Sequence, residues 1–98
     1  MRTVQLTLIG KPGCHLCDEA REAIELVRAA EADVSTEFVE LDILQDAALA
    51  TKYAEEIPVV LVNGRKHSFW RVDPARLTTA IRKASTKKWP FATSSTGS

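Results

Sequence analysis

Net charge is missing from this sequence: 13 lysines and arginines balance 13 aspartates and glutamates. Without a broad basic field there is little to hold nucleic acid or an anionic lipid surface, and base stacking has no positive groove to support it. Long apolar runs are missing too, and nothing approaches the roughly 20 residues that cross a bilayer as a helix. The start, Met1-Arg2-Thr3-Val4-Gln5-Leu6, lacks the apolar stretch and small-residue cleavage site of a secretory signal. No phosphate loop, no Ser/His/Asp arrangement and no internal repeat is visible. These absences set the expectation of a cytoplasmic protein with neither nucleic-acid nor membrane partners, and a monomer is expected.

Cysteine is scarce as well. The chain has two, Cys14 and Cys17, both in the run Lys11-Pro12-Gly13-Cys14-His15-Leu16-Cys17. That run joins an apolar, strand-like start, Leu6-Thr7-Leu8-Ile9, to a long helical pattern. Residues three apart in a first helical turn have Cβ atoms about 5–6 Å apart, near disulfide reach. The helix N-terminus presents partial positive charge that favours thiolate over thiol. A thiolate beside a partner thiol is the minimum machinery for thiol–disulfide exchange.

Three other readings compete. A purely structural disulfide is weak here, because cross-links stabilise through long closed loops and this loop is short. A chain of 98 residues with 45% hydrophobic composition builds a core without a staple. A zinc site needs about four ligands, and beyond Cys14, His15 and Cys17 only His67 and carboxylates remain, so no metal site is assigned. Two inert thiols is the blandest option, and it would suit Cys17 well. Redox chemistry is favoured, since a Cys-x-x-Cys beside a βαβ pattern is a recognised redox signal.

Along the chain, Val4 to Ile9 reads as a strand and Gly10 to Gly13 as a loop. From Cys14 to about Ala32, Cys17, Ala20, Ile24 and Val27 recur at helical spacing. An Arg21–Glu25 pair is expected on the solvent side, with Glu25–Arg28 nearby. Cys17 falls on the buried stripe, whereas Cys14 falls outside it, near solvent. Thr36 to Ile43 reads as a second strand with Val39, Leu41 and Ile43 on one face, and Asp46 to about Ala54 as a short helix. Pro58 to Val62 is an apolar β-branched run, and Asn63-Gly64 is a strong hairpin signal before a returning strand, Lys66 to Val72. Asp73-Pro74 supplies an N-cap and a first-turn proline for a last helix carrying Leu77, Ala80, Ile81 and Ala84. Residues 1–86 thus read as one domain, and 87–98, with Trp89 and Phe91, as a flexible C-terminal tail.

The order βαβαββα predicts an α/β fold. The first two strands are parallel because a helix joins them, by a right-handed crossover, and the last two are antiparallel through the tight turn. A mixed four-stranded sheet flanked by helices satisfies this, with the cysteine loop at the carboxyl end of the first strand.

That arrangement resembles the glutaredoxin branch of the thioredoxin-like fold, over roughly Val4 to Ala84. Cys14-His15-Leu16-Cys17 is similar to the redox loop, within a Pro-Gly-Cys-x-Leu-Cys-Asp pattern found in short glutaredoxin-like proteins. Lys11 stands where many glutaredoxins carry a lysine for the glutathione carboxylate. Ile57-Pro58-Val59-Val60 resembles the segment with a cis-proline facing the thiols. Pro58 on base rates alone would be trans; the resemblance implies cis, which would turn the Ile57 backbone N–H and C=O toward an extended substrate. Ser68-Phe69-Trp70-Arg71-Val72-Asp73 is similar to the Ser-Gly-Phe-Arg-Pro-Asp segment of redoxins that serve ribonucleotide reductase.

The chain departs from the family at Ser68 and Phe69, where glutathione-binding glutaredoxins have a Gly-Gly pair. With Trp70 next, large side chains obstruct that groove or reshape it for another thiol. The implied function is a dithiol thiol–disulfide oxidoreductase or electron donor with catalytic Cys14 and Cys17. Cys14 attacks a disulfide, and Cys17 then resolves the mixed disulfide. Lys11 and a protonated His15 favour the Cys14 thiolate by proximity, opposed in part by Asp18. Lys11, His15, Ile57 and Pro58 are the substrate- or thiol-binding candidates, although Lys11 and His15 also read as ordinary loop residues. The expected partner is a disulfide-containing protein or a low-molecular-weight thiol. No bound cofactor is expected; an external thiol or flavoenzyme supplies electrons, with glutathione in question. The alternatives are a redox-inactive thioredoxin-fold binding module and an iron–sulfur carrier using thiolates from two chains.

Overall fold

The computed structural model describes residues 2–86; the expected tail, with Trp89 and Phe91, lies outside them. The elements run β1 (Val4–Gly10), α1 (His15–Ala30), β2 (Thr36–Asp42), a 3-10 turn (Ile43–Gln45), α2 (Ala47–Tyr53), β3 (Val59–Val62), β4 (Arg65–Phe69) and α3 (Pro74–Thr86). They form one mixed sheet in the order β2-β1-β3-β4. β1 runs parallel to β2 and antiparallel to β3, and β4 returns antiparallel to β3. This is the architecture that the element order predicts.

The apolar spacing explains the layers. Val4, Leu6 and Leu8 alternate along β1 and meet Ala20, Ile24 and Val27 of α1 and Leu77 and Ile81 of α3. Each such side chain contributes roughly 1.5–3 kcal/mol on full burial. Ile9 and Val59 belong to a second cluster with Ile43 and Tyr53, against which Leu49 and Ala50 of α2 pack. No helix among the described residues is long and apolar enough to cross a membrane.

Local chemistry sets the boundaries. Asp73 Oδ1 accepts the amides of Ala75 (3.0 Å) and Arg76 (3.4 Å), capping α3 ahead of Pro74. Asp46 caps α2 in the same way. Asn63 and Gly64 both have positive φ, 51° and 82°, as a two-residue hairpin turn with the twist of its strands requires. The Asn63 side chain also accepts the Gln5 amide at 2.8 Å, tying the turn to β1.

Three expectations need correction. Arg21 does not pair with Glu25; it turns to Asp18 (2.9 Å) and to Glu40 on β2 (2.7 Å), because the parallel strand brings a second carboxylate within reach. Glu25 keeps its expected pairing with Arg28, at 3.0 Å. β2 ends at Asp42, and Ile43 enters the 3-10 turn, where it is buried; Val39 and Leu41 stay exposed, since the short α2 leaves that part of the sheet uncovered. β4 stops at Phe69 rather than Val72, because Trp70 takes φ +69° and ends the extended chain. Within β4 a bulge at His67 changes the register: Ser68 faces Val60, whereas Lys66 faces Leu61.

Candidate active site

Helix α1 begins at the two cysteines. Cys14 is its N-cap, with extended φ and ψ of −102° and 113°, and its sulfur accepts the Cys17 backbone N–H at 3.2 Å. The sulfur therefore stands in for the side-chain oxygen that usually satisfies an unpaired first-turn amide. Both cysteines are free thiols, Cys14 partly exposed and Cys17 buried at 2%. The apolar stripe of α1 thus separates the thiols as the spacing predicts. Burial pushes the Cys17 thiol up to about 11, helped by its hydrogen bond with Cys14 and opposed by the Lys11 backbone amide.

The sheet builds the floor. Leu41, Ile9, Val59 and Phe69 form one paired row across all four strands. The next row contains Asp42 and Gly10, still paired, then Pro58 and Trp70, joined by the Trp70 N–H to the Pro58 carbonyl at 2.8 Å. A Cβ placed on Gly10 would stand 2.7 Å from the Cys17 sulfur. The absence of a side chain at Gly10 therefore lets Cys17 settle onto the end of β1. Sequence reasoning places Gly10 in the loop and misses this role; its only signal is a glycine directly after an apolar strand.

The Ile57–Pro58 bond is cis, as the family resemblance implies. Pro58 is buried, and the Ile57 backbone N–H and C=O have no hydrogen-bond partner among the described residues. Two clefts flank the start of α1. One, of about 200 Å³, lies on the β2 side and includes Gly10, Lys11, Cys17, Asp18, Arg21 and Glu40. The other, of about 180 Å³, lies toward the β4–α3 connection and is lined by Leu16, Glu19, Ala20, Trp70, Arg71 and Val72. Lys11 and His15 are both exposed. The structure brings Lys11 to the cleft that reaches Cys17, and it sets His15 as the first residue of α1.

Trp70 is the other residue whose role the sequence conceals. A non-glycine residue in the left-handed region costs on the order of 1–3 kcal/mol, and nothing in a tryptophan announces it. The turn is held by one local bond and one tertiary bond. Arg71 N–H donates to Phe69 C=O at 2.8 Å, and the indole N–H donates to Glu55 C=O at 3.1 Å.

Comparison with known proteins gives the geometry a context. Uncharacterized proteins of Mycobacterium tuberculosis and Mycobacterium bovis are 31% identical over 88 residues, covering 86% of this chain and 89% of theirs. A structural-genomics target protein from X. campestris is 36% identical and superposes with a TM-score of 0.64, over 79% of this chain and 95% of that one. Mitochondrial thioredoxin 3 of Saccharomyces cerevisiae, in its oxidized form, is 16% identical; it shares the fold with a TM-score of 0.61, over 82% of this chain and 77% of its own. The profile of the glutaredoxin-like domain (DUF836) matches residues 5–82, from the first strand to the last helix. With the cysteine loop, the cis-proline and the thioredoxin-like sheet all inside that span, the chain belongs to the glutaredoxin-like family.

Proposed function

We propose that this protein is a dithiol thiol–disulfide oxidoreductase that reduces protein or small-molecule disulfides through Cys14 and Cys17. The observation that carries the reading is the asymmetry of the pair: a partly exposed sulfur at a helix N-terminus above a buried, high-pKa thiol. The Cys14 thiolate attacks one sulfur of the substrate disulfide; a Cys14–substrate bond forms and the other substrate sulfur leaves as a thiolate. Cys17 then attacks Cys14, giving up its proton to solvent or to the departing thiolate. The Cys14–Cys17 disulfide forms and the second substrate thiol departs. The substrate gains two electrons and the protein loses two.

The buried Cys17 suits the second step and not the first. Its high pKa keeps it protonated, so it waits as a thiol until a mixed disulfide brings an electrophilic sulfur beside it. The unpaired Ile57 backbone offers one donor and one acceptor to an extended substrate segment. Lys11 and His15 offer polar contacts for a thiol substrate at the rim.

The test is to react reduced protein with bis(2-hydroxyethyl) disulfide and follow adducts by mass spectrometry. Cys14→Ser is expected to abolish reduction, and Cys17→Ser to accumulate a mixed disulfide on Cys14. Trapping on Cys17 instead would reverse the assignment. No reduction by the unmodified protein would favour a redox-inactive binding module.

A further inference from the structure

The seam between β4 and α3 is open. Two cavities, of about 520 and about 420 Å³, lie along it and share His67, Ala80 and Lys83 in their walls. They form one groove with a mostly apolar lining, because α3 places the small side chains of Ala80 and Ala84 opposite β4, where a longer residue would fill the gap. The larger cavity is lined by Asn63, whose N–H donates to Gln5 C=O at 2.8 Å. It therefore lies five residues of β1, roughly 17 Å, from Gly10 and the thiols.

The charges around this groove are of one sign. Arg65 and Lys66 come from β4, and Arg76 and Lys83 stand with Ala80 on one stripe of α3. No carboxylate lines either cavity among the described residues. Lys66 reaches Glu56 at 2.6 Å. Arg65, Arg76 and Lys83 are exposed and enter no ion pair among the described residues. Elsewhere Arg21, Arg28 and Arg82 are each held by carboxylates. In a chain of zero formal net charge this leaves a local excess of positive charge beside apolar surface. Cations on β4 alone would serve to keep an edge strand from pairing with another chain; Arg76 and Lys83, on the helix, have no such use. His67 lines both cavities, and its Nε2 is buried without a hydrogen-bond partner among the described residues.

We propose that the β4–α3 groove docks a segment of a partner protein that is acidic and carries aliphatic residues. Its aliphatic side chains lie over Ala80 and Ala84, and its carboxylates meet Arg65, Arg76 and Lys83. Charge complementarity selects this occupant. A wholly polar anion would leave the apolar floor uncovered. A nucleic acid would find no phenylalanine, tyrosine or tryptophan in the lining on which to stack a base. From Arg76 to Thr86 the helix rises roughly 15 Å, the span of about five extended residues. The partner is held away from Cys14, so docking leaves the thiols free to react. The proposal goes beyond the oxidoreductase reading and does not depend on it.

The probe is a fluorescein-labelled pentapeptide alternating glutamate and leucine, titrated with the full chain and read by anisotropy. Saturable binding is expected, and it should weaken at least about tenfold between about 0.1 and 1 M salt, as the screening length falls from about 10 to 3 Å. Lysine in place of glutamate should abolish binding, and serine in place of leucine should weaken it at least about tenfold. Lys83→Glu should weaken binding of the acidic peptide at least about tenfold. Arg65→Glu, on the facing strand, is an independent second variant with the same expectation. Lys52→Glu, an exposed cation outside the groove, should leave the affinity unchanged, and circular dichroism checks that each variant folds. Amide chemical shifts should move along β4 and from Arg76 to Ala84, and stay fixed from Lys11 to Cys17. No binding, an affinity unchanged in both Lys83→Glu and Arg65→Glu, or equal binding of a labelled oligothymidylate would overturn the proposal. Self-association of the chain alone that Lys83→Glu abolishes would assign the groove to a second copy and overturn it too. Each of these outcomes is separate from reduction of bis(2-hydroxyethyl) disulfide, which tests the oxidoreductase reading.

Discussion

Gly10 and Cys17 are in direct contact: the position a Cβ would take on Gly10 lies 2.7 Å from the Cys17 sulfur and 3.2 Å from the Cys17 Cβ. The end of the central strand and the inner thiol therefore constrain each other. Gly10 has no positive φ, so the constraint is one of space and not of backbone conformation.

Gly10→Ala should accordingly destabilise the reduced protein by about 1–3 kcal/mol, the usual cost of overpacking a filled interior. Urea unfolding measures this. Cys17→Ala removes the sulfur and leaves only the 3.2 Å contact, so the double variant should recover part of the loss. Strict additivity of the two changes would show that the contact is not the cause.

The raised pKa of Cys17 gives a pH dependence with a definite sign. Its folded value, about 11, lies above the 9.0 of a free thiol. The neutral form is therefore favoured by folding: this stability is complete below about pH 9 and is lost as pH rises toward 11. The loss should be of order 2–3 kcal/mol, since each tenfold change in proton affinity is worth about 1.4 kcal/mol. Unfolding of the reduced protein at several alkaline pH values should show it, and Cys17→Ala should flatten the curve. An unchanged slope in that variant would assign the alkaline loss to other groups.

His67 has the opposite sign. Burial pushes its pKa below the ordinary histidine value, and its Nε2 is buried without a hydrogen-bond partner among the described residues. Folding favours the neutral imidazole, so this contribution is present above the unfolded value of about 6.5 and is lost as pH falls through the lower folded value. His67→Leu should reduce the acid sensitivity of the Tm between pH 7 and 5. NMR titration of His67 showing a normal or raised pKa would remove the basis for that expectation.

The reductant can be tested directly. By the family resemblance, Phe69 and Trp70 replace small residues that would let glutathione lie against bare backbone, and each backbone hydrogen bond lost there would cost about 0.5–1.5 kcal/mol. The indole N–H is bonded to the Glu55 carbonyl at 3.1 Å, a bond the ring would have to break to clear the groove. Oxidised protein should therefore turn over poorly with glutathione and its reductase, and better with a thioredoxin-reductase-type flavoenzyme, as read by NADPH consumption. Efficient turnover with glutathione would restore the ordinary glutaredoxin reading. The potential of the Cys14–Cys17 couple is expected within about −200 to −270 mV, the range of glutaredoxins and thioredoxin.

The strands, helices and thiol asymmetry are legible in the sequence because they follow from periodicity and capping. Cys17, Ala20, Ile24 and Val27 repeat at helical spacing and are all buried. Asn63-Gly64 and Asp73-Pro74 carry their own turn and cap chemistry. The features that escape are tertiary. Gly10 matters because another element's sulfur approaches it, and Trp70 leaves the extended region because Pro58 and Glu55, distant in sequence, hold it there. Arg21 takes Glu40 over Glu25 for the same reason: helical spacing names partners on one helix, and a neighbouring strand supplies better ones. The cis state of Pro58 is legible only through family resemblance, since base rates oppose it.

β1 lies between β2 and β3 and carries residues buried on both faces, so its amides should be among the slowest in the molecule to exchange with solvent deuterium. The next three residues, Lys11, Pro12 and Gly13, are exposed. A protected strand and an exposed loop therefore meet within a few residues, with Cys14 next to the loop and Cys17 packed on the last residue of the strand. Displacing the inner sulfur from Gly10 should therefore disturb the central strand, whereas the outer one leaves only the Cys17 amide when it reacts.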